Sequence, residues 1–275
     1  MILLVAVGIW RLMQGPIALD LLVPYVEAGF ARAGLGLDMT MSGVRVGIDR
    51  ETHQLDLRLR NVALTQPNGD SLARLPEMAA SFGLGSLIRG RLAPTRLVVE
   101  RPVLRLRRDT TGAVSFRVGD TAKSGIGPGA VAALLGPPQD GTPLGQLRAL
   151  RVRDATLIVD DRLLGRRWQA DHLDAAVSRD AAGSAGDLSL SVMLGPQTTT
   201  LQANFRYVAA RRKLDLGFAA GSIEPAVLAS FVPLLQPLAD VHMPVSGTLE
   251  TQFDFTEDKF EGFRADLGFG AGWLD

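Results

Sequence analysis

The chain has 275 residues, with 29 basic and 29 acidic side chains and no cysteine. A chain without cysteine forms no disulfide, thiolate metal site or cysteine nucleophile, and the balanced charge without a basic stripe argues against a nucleic-acid-binding protein. Hydrophobic residues make up 47% of the sequence but aromatic residues only 6%, a composition that suits half-buried strands, an apolar groove or an ordinary core.

The first residues form an apolar stretch. Residues 1–13 (MILLVAVGIWRLM) carry one charged side chain, Arg11, and Gly15-Pro16 follows. A helix of that length spans about 20 Å, whereas the bilayer core is about 30 Å thick. A secretory signal and a short buried helix are the alternatives. We predict that residues 1–14 are a truncated transmembrane helix with Trp10 and Arg11 at the membrane interface.

Residues 17–36 are predicted to form an amphipathic helix. Leu19, Leu22, Val26 and Phe30 recur within them at three- and four-residue spacing. Pro24 either weakens the middle of this helix or marks the first turn of a shorter one. Two placements stay open, because such a helix packs on the end of a sheet or lies at a membrane surface.

From about Met39 onward the pattern becomes that of β-strands. Residues 55–60 alternate leucine with charged residues, and residues 188–192 alternate apolar residues with serine. This alternation is typical of strands with one apolar and one polar face, and the short turns between them predict antiparallel pairing. We predict β segments at 37–118 and 144–275, separated by a Gly/Pro-rich linker or lid at 119–143.

One strand pattern recurs along the chain. Residues 57–64 (LRLRNVAL) match residues 150–157 (LRVRDATL), and residues 97–104 (LVVERPVL) are a looser copy. In each copy the apolar positions change parity across the polar fifth residue. A strand keeps one face buried across such a change only through an inserted residue, a bulge or a sharp bend, so we predict kinks at Asn61, Asp154 and Pro102. Chance similarity among strands rich in Leu and Arg is the alternative.

A second helical segment is predicted near residues 225–238 (PAVLASFVPLLQPL). Its first proline suits the first turn of a helix. The segment acts as a lid over a groove or as a helix packed on a sheet, and both interpretations stay open.

Residues suited to catalysis are sparse. The histidines are His53, His172 and His242, and no metal-ligand spacing relates them. The acidic residues at 160–161 and 171–174 fit turns and exposed strands better than a catalytic acid pair. The sequence therefore predicts a protein that is not an enzyme, with no catalytic residue, no metal site and no cofactor.

Several segments, taken in their order along the chain, form a recognisable series. They are residues 14–20, 55–64, 75–77, 87–94, 97–108 with the turn at 109–112, 150–160, Trp168, 225–233, Leu238 and 244–247. In this order, over essentially the whole chain, they resemble the AsmA-like superfamily in its YhdP-type branch, with TamB as a more distant relative. No single motif among them is diagnostic.

The resemblance implies a fold, a location and a function. The fold is mainly β: a long twisted antiparallel sheet curled into an open hydrophobic groove, behind a single N-terminal membrane span. The location is the inner membrane of a Gram-negative bacterium, with the body in the periplasm. The function is binding and conducting phospholipid acyl chains towards the outer membrane, with outer-membrane or other envelope proteins as further partners. Members of this branch are much longer, so we interpret the chain as an N-terminal fragment.

The apolar positions of the predicted strands give the expected groove lining. They are Leu55, Leu57, Leu59, Phe82, Leu84, Leu97, Val99, Leu104, Leu106, Leu157, Val159, Leu188, Leu190 and Val192. A second hypothesis is an assembly factor or scaffold for outer-membrane proteins that acts through exposed strand edges. A secreted polysaccharide hydrolase is a third, and it requires paired carboxylates in a polar cleft.

Overall fold

The computed structural model describes residues 17–32, 38–48, 55–65, 71–83, 94–111, 114–118, 146–163, 165–194, 197–231 and 233–274. Several predictions lie outside these residues: the membrane helix at 1–14 with Trp10 and Arg11, the linker at 119–143, His53 and Leu84.

The described residues are mainly β, as predicted. Two α-helices occur, α1 (Val23–Arg32) and α2 (Pro225–Phe231), together with 3-10 turns at Asp20–Leu22 and Pro233–Leu238. The strands are β1 (Ile17–Ala18), β2 (Asp38–Thr40), β3 (Gly43–Ile48), β4 (Leu55–Thr65), β5 (Ser71–Phe82), β6 (Pro94–Glu100), β7 (Val103–Arg108), β8 (Val114–Val118), β9 (Ala149–Asp161), β10 (Arg166–Arg179), β11 (Gly183–Leu194), β12 (Gln197–Val208), β13 (Lys213–Ile223), β14 (Val241–His242), β15 (Val245–Asp254), β16 (Lys259–Phe269) and β17 (Trp273–Leu274).

All strands but two belong to one large, mostly antiparallel sheet that does not close, and β14 and β17 pair separately. The chain divides into two compact units, of which unit 1 is residues 1–103, 117–126 and 138–152, and unit 2 is the remainder. Strands follow the order β1-β3-β4-β5-β6 within unit 1 and β10-β11-β12-β13-β15-β16 within unit 2. Short turns join β10 to β11, β12 to β13 and β15 to β16, which therefore pair as neighbours, whereas β13 and β15 are joined through α2, the 3-10 turn and β14.

The helix predicted at 17–36 is shorter in the structure. It begins at Val23, after a two-residue strand and a 3-10 turn, and is described as far as Arg32, while residues 33–36 of the prediction lie outside the described residues. Pro24 is its second residue, a position where the missing N–H and fixed φ of proline are tolerated. The alternative in which Pro24 marks the first turn is therefore confirmed.

Helix α1 covers the apolar side of unit 1. Leu22, Val26 and Phe30 pack against a buried cluster that includes Val44 and Leu59. The hydrophobic periodicity of the helix thus produces packing on the sheet, one of the two placements left open by the sequence.

The predicted kinks are confirmed at Asn61 and Asp154, which have positive φ angles of 51° and 50°. In the looser copy the kink lies at Arg101 (φ 49°) and not at Pro102, because the proline ring fixes φ near −65°. The pairing of β4 with β5 keeps its register across the kink, with Arg60 opposite Glu77 before it and Val62 opposite Leu75 after it. At Asn61 the parity change therefore comes from one left-handed residue, without an inserted residue at that point of the β4–β5 pair.

The predicted segment at 225–238 is helical, as α2 followed by the 3-10 turn at Pro233–Leu238. Neither of these elements, nor α1, has the length and hydropathy that crossing a bilayer requires, within the described part of the chain.

Candidate functional site

The sheet of unit 2 has one face without charge over five neighbouring strands. Directly paired residues lie on the same face of a sheet, so the pairing register defines rows of side chains across β11, β12, β13, β15 and β16. On one side, here called the apolar face, the rows are Leu190–Leu201–Ala220–Gly247–Leu267, Leu188–Ala203–Phe218–Leu249–Ala265, Gly186–Phe205–Leu216–Thr251–Phe263 and Ser184–Tyr207–Leu214–Phe253–Phe260.

The apolar face becomes more exposed from β11 towards β16. Leu190 on β11 is 9% exposed, Phe218 on β13 is 46% exposed and Phe263 on β16 is 68% exposed. Leu267 and Phe269, also on β16, are similarly exposed. Large apolar side chains at neighbouring positions with this exposure form a patch of the kind that binds a ligand, a membrane or a partner.

An aromatic cluster lies at one end of this face. Phe253 contacts Phe255 and Phe260 edge-on at centroid distances of 4.9 Å and 5.0 Å, and Phe255 also meets Tyr207. Such edge-to-face contacts hold the rings in fixed orientations. Arg179 on β10 is paired with Ser184, so it lies at the β10 border of this end of the face. Burial lowers the pKa of its guanidinium.

The opposite face of the same strands is polar. Its rows are Ser189–Gln202–Ala219–Thr248–Asp266, Asp187–Asn204–Gly217–Glu250–Arg264, Ala185–Arg206–Asp215–Gln252–Glu261 and Gly183–Val208–Lys213–Asp254–Lys259. This face holds an open depression of about 600 Å³. Its lining includes carboxylates, amides and Arg264, together with Leu216, Thr251 and Phe263 from the rows of the apolar face. The charged groups among them do not suit an acyl chain.

Hydrogen bonds and ion pairs connect the polar face across strands. Lys213 Nζ donates to Glu261 Oε2 at 2.5 Å and lies 3.5 Å from Asp254 Oδ2. The hydrogen bond to Glu261 raises the pKa of Lys213. Asp254 accepts hydrogen bonds from the backbone N–H groups of Thr256 and Glu257, at 2.6 Å and 3.3 Å. These bonds favour the ionised carboxylate and lower the pKa of Asp254. Charged side chains of these strands therefore contact one another on the polar face, and no charged side chain lies in the rows of the apolar face.

The predicted lining residues of unit 1 lie in a covered core. Leu57, Leu59 and Phe82 are 7%, 3% and 8% exposed, inside the cluster beneath α1. Leu55, Leu97 and Val99 are partly buried and pack against the same cluster. This part of the sheet is sealed by the chain's own helix, because α1 places its apolar stripe on these leucines.

The predicted lining residues of unit 2 fall into two groups. Leu188, Leu190 and Val192 lie on the apolar face, where Val192 pairs with Thr199 one row beyond Leu190. Leu104 and Val159 are buried, at 8% and 5% exposure, and Leu106 and Leu157 are half-buried on β7 and β9. The structure therefore brings the first three together with residues that the sequence prediction did not include.

The exposed part of the apolar face was missed by the sequence prediction. Phe218, Leu249, Phe263, Leu267 and Phe269 are each more than a third exposed on it. Alternation was visible along β12 and β13, but on β16 a left-handed Gly262 (φ 67°) shifts the register between Thr251 and Gln252 of β15. The bulge hides the period-2 pattern, because Phe260 and Phe263 share a face although they are three residues apart.

The candidate chemical groups do not assemble into a catalytic site in the described residues. His172 Nδ1 lies 2.7 Å from Asp154 Oδ1, with both side chains more than half exposed. Asp160 forms a partly exposed ion pair with Arg107, and the buried Asp161 pairs with Arg108. Within the described ranges no three His, Asp or Glu side chains are grouped to hold a metal ion.

The fold and the face together define a class: mainly β proteins with a large, mostly antiparallel sheet that does not close, in which β11, β12, β13, β15 and β16 of unit 2 carry an apolar, partly uncovered face. No family model, no curated protein and no solved structure matches the chain.

Proposed function

We propose that the chain is an AsmA-like protein of the cell envelope that binds phospholipid acyl chains on the apolar face of unit 2 and conducts them towards the outer membrane. In this proposal residues 1–14 anchor the chain in the inner membrane of a Gram-negative bacterium and the β body lies in the periplasm. The resemblance of the sequence to the AsmA-like superfamily supports the proposed location. The pairing register of the strands defines the proposed binding surface.

The observation that carries the proposal is the exposure of Phe218, Leu249 and Phe263 on a face without charge. An acyl chain laid across these rows removes apolar surface on both partners from water, and each buried methylene contributes about 0.8 kcal/mol. The face has few groups that would select a headgroup, so we expect low specificity among acyl chains.

The binding face is tested with a photo-crosslinking residue at position 263. Phe263 and Arg264 are adjacent, and their side chains project from opposite faces of β16. Both are exposed, at 68% for Phe263 and 79% for the Arg264 side chain, so the two positions form a matched pair. In membranes, the crosslinker at 263 is expected to capture phospholipid, and the one at 264 much less.

A second pair of crosslinking positions, in unit 1, tests whether lipid capture is confined to unit 2. Leu57 is buried beneath α1 and Arg58 faces away, so crosslinkers at 57 and 58 are expected to capture little lipid. Equal capture at 263 and 264 would exclude the apolar face as the binding surface. Capture at 57 equal to that at 263 would show that α1 leaves the sheet.

The alternative function, an assembly factor for outer-membrane proteins, is supported by the position of β16 at the end of the strand order in unit 2. In unit 2, β16 pairs with β15 on one side, and it ends the strand order given for the described residues. An edge of this length can add a strand from a partner. Co-purification of an outer-membrane barrel with the intact chain, lost when Ala265 is replaced by proline, together with no lipid capture at 263, would favour this function.

A further inference from the structure

Two carboxylates of the α1 region, those of Asp20 and Glu27, are hydrogen-bonded to the sheet. Asp20 Oδ1 accepts a hydrogen bond from the backbone N–H of Val44 at 3.1 Å. Glu27 Oε1 accepts one from the backbone N–H of Met41 at 3.0 Å. Both carboxylates therefore satisfy backbone donors of the sheet, which fixes the rotation of the helix about its axis.

The outward side of the same region is apolar. Leu21 is 70% exposed and Tyr25 is 72% exposed, and Pro24 between them is also exposed. Leu22, Val26 and Phe30 meanwhile pack on the core. The α1 region therefore has apolar side chains both on the side that packs on the core and on the exposed side. The carboxylates of Asp20 and Glu27 are hydrogen-bonded to the sheet.

The sequence beside this surface indicates what covers it. Residues 1–13 are apolar apart from Arg11, and seven residues join them to Leu21. Seven residues extend at most about 25 Å, so a membrane holding the first stretch has its interface within reach of Leu21 and Tyr25. Tyrosine is enriched at such interfaces, and an apolar helix side enters the boundary between headgroups and acyl chains.

We propose that the outward side of α1, carried by Leu21 and Tyr25, rests on the phospholipid bilayer interface and sets the orientation of unit 1 against the membrane. This inference rests on the membrane anchoring in the proposed function, but not on acyl-chain binding by unit 2. Because Asp20 and Glu27 are hydrogen-bonded to the sheet and the contact is carried by the uncharged Leu21 and Tyr25, contact does not require anionic lipid.

The chain lacks cysteine, so single cysteines report position directly. Tyr25→Cys and Arg58→Cys are labelled with a nitrobenzoxadiazole fluorophore in the full chain, reconstituted in phosphatidylcholine vesicles containing lipid spin-labelled near the headgroup. Arg58 lies on β4 between Leu57 and Leu59, which face α1, so its side chain points away from the helix. We expect at least threefold stronger quenching at 25 than at 58, unchanged by 0.5 M salt.

Equal quenching at the two positions, quenching at neither, or chain that fails to float with the vesicles would each overturn the proposal. Leu21→Glu combined with Tyr25→Glu provides a second arm. Both side chains are exposed, so the fold is expected to be kept, while quenching of a label at Ala18→Cys falls at least twofold. Lipid capture at 263 is measured on the same reconstituted chain, so loss of helix contact and loss of acyl-chain binding are distinguished.

Discussion

Replacing Phe263 by glutamine separates folding from ligand binding on the apolar face. The side chain is 68% exposed, so only about a third of its surface is buried in the free protein. Full burial of a phenylalanine is worth about 1.5–3 kcal/mol, which gives an expected loss of about 0.5–1 kcal/mol in the free energy of unfolding. The fold should therefore survive the substitution.

The effect on acyl-chain binding is expected to be larger. A polar amide in the row Phe205–Leu216–Thr251–Phe263 removes the contact surface of about two methylenes, worth about 1.6 kcal/mol. Since about 1.4 kcal/mol is tenfold in affinity, the dissociation constant for a fluorescent phospholipid should rise about fifteenfold.

Urea denaturation and displacement of the fluorescent lipid are measured on the same preparation. Arg264→Gln is the matched control, because it makes the same residue on the opposite face, and its lipid affinity should remain unchanged. Phe263→Gln with unaltered affinity, or with an unfolding free energy lowered by more than about 3 kcal/mol, would show that this side chain is covered and does not meet lipid.

Substitutions at three further positions test the fold. Leu59→Ala, at 3% exposure beneath α1, should lower the unfolding free energy by about 2–5 kcal/mol in urea denaturation; a loss below 1 kcal/mol would contradict the sealed core of unit 1. Asn61→Val should lower the free energy of unfolding by about 1–3 kcal/mol and Asn61→Gly should change it little, because the left-handed φ of 51° suits glycine but strains a β-branched residue. Equal unfolding midpoints for these two variants would contradict a left-handed kink at this position. The lowered pKa of Asp254 means that its contribution to stability is present above the ordinary value of 3.8 and is lost as pH falls through the lowered pKa. Asp254→Asn should therefore be less stable than the parent at pH 6 and should lose less stability between pH 5 and pH 2, as measured by the midpoints of urea denaturation. Parallel pH profiles of the two proteins would contradict a contribution of the ionised Asp254 carboxylate to stability.

Local sequence patterns predicted much of the fold. Alternation of leucine with charged residues indicated the strands, and the parity change in the repeated octapeptide indicated kinks, which occur at Asn61 and Asp154. These features are local, because side-chain period and backbone preference are set within a few residues. The kink at Arg101 shows the limit, since the fixed φ of Pro102 excludes a left-handed conformation at that residue.

The candidate site was predicted less well because exposure is a property of packing. Leu57 and Leu188 have the same alternating pattern in the sequence, yet Leu57 lies beneath α1 and Leu188 lies on the apolar face of unit 2. Which strands a helix covers depends on tertiary contacts such as those of Asp20 and Glu27 with the sheet. Local pattern does not encode these contacts, and the bulge at Gly262 further concealed the face on β16.

Occupation of the uncovered apolar face of unit 2 by acyl chains can be observed in a crystal. The most direct measurement is anomalous diffraction from crystals of the chain grown with a phospholipid brominated along its acyl chains. We expect bromine peaks beside Phe218, Leu249 and Phe263. Peaks beside Glu250 and Arg264 on the polar face, or no ordered bromine beside β13, β15 and β16, would contradict it.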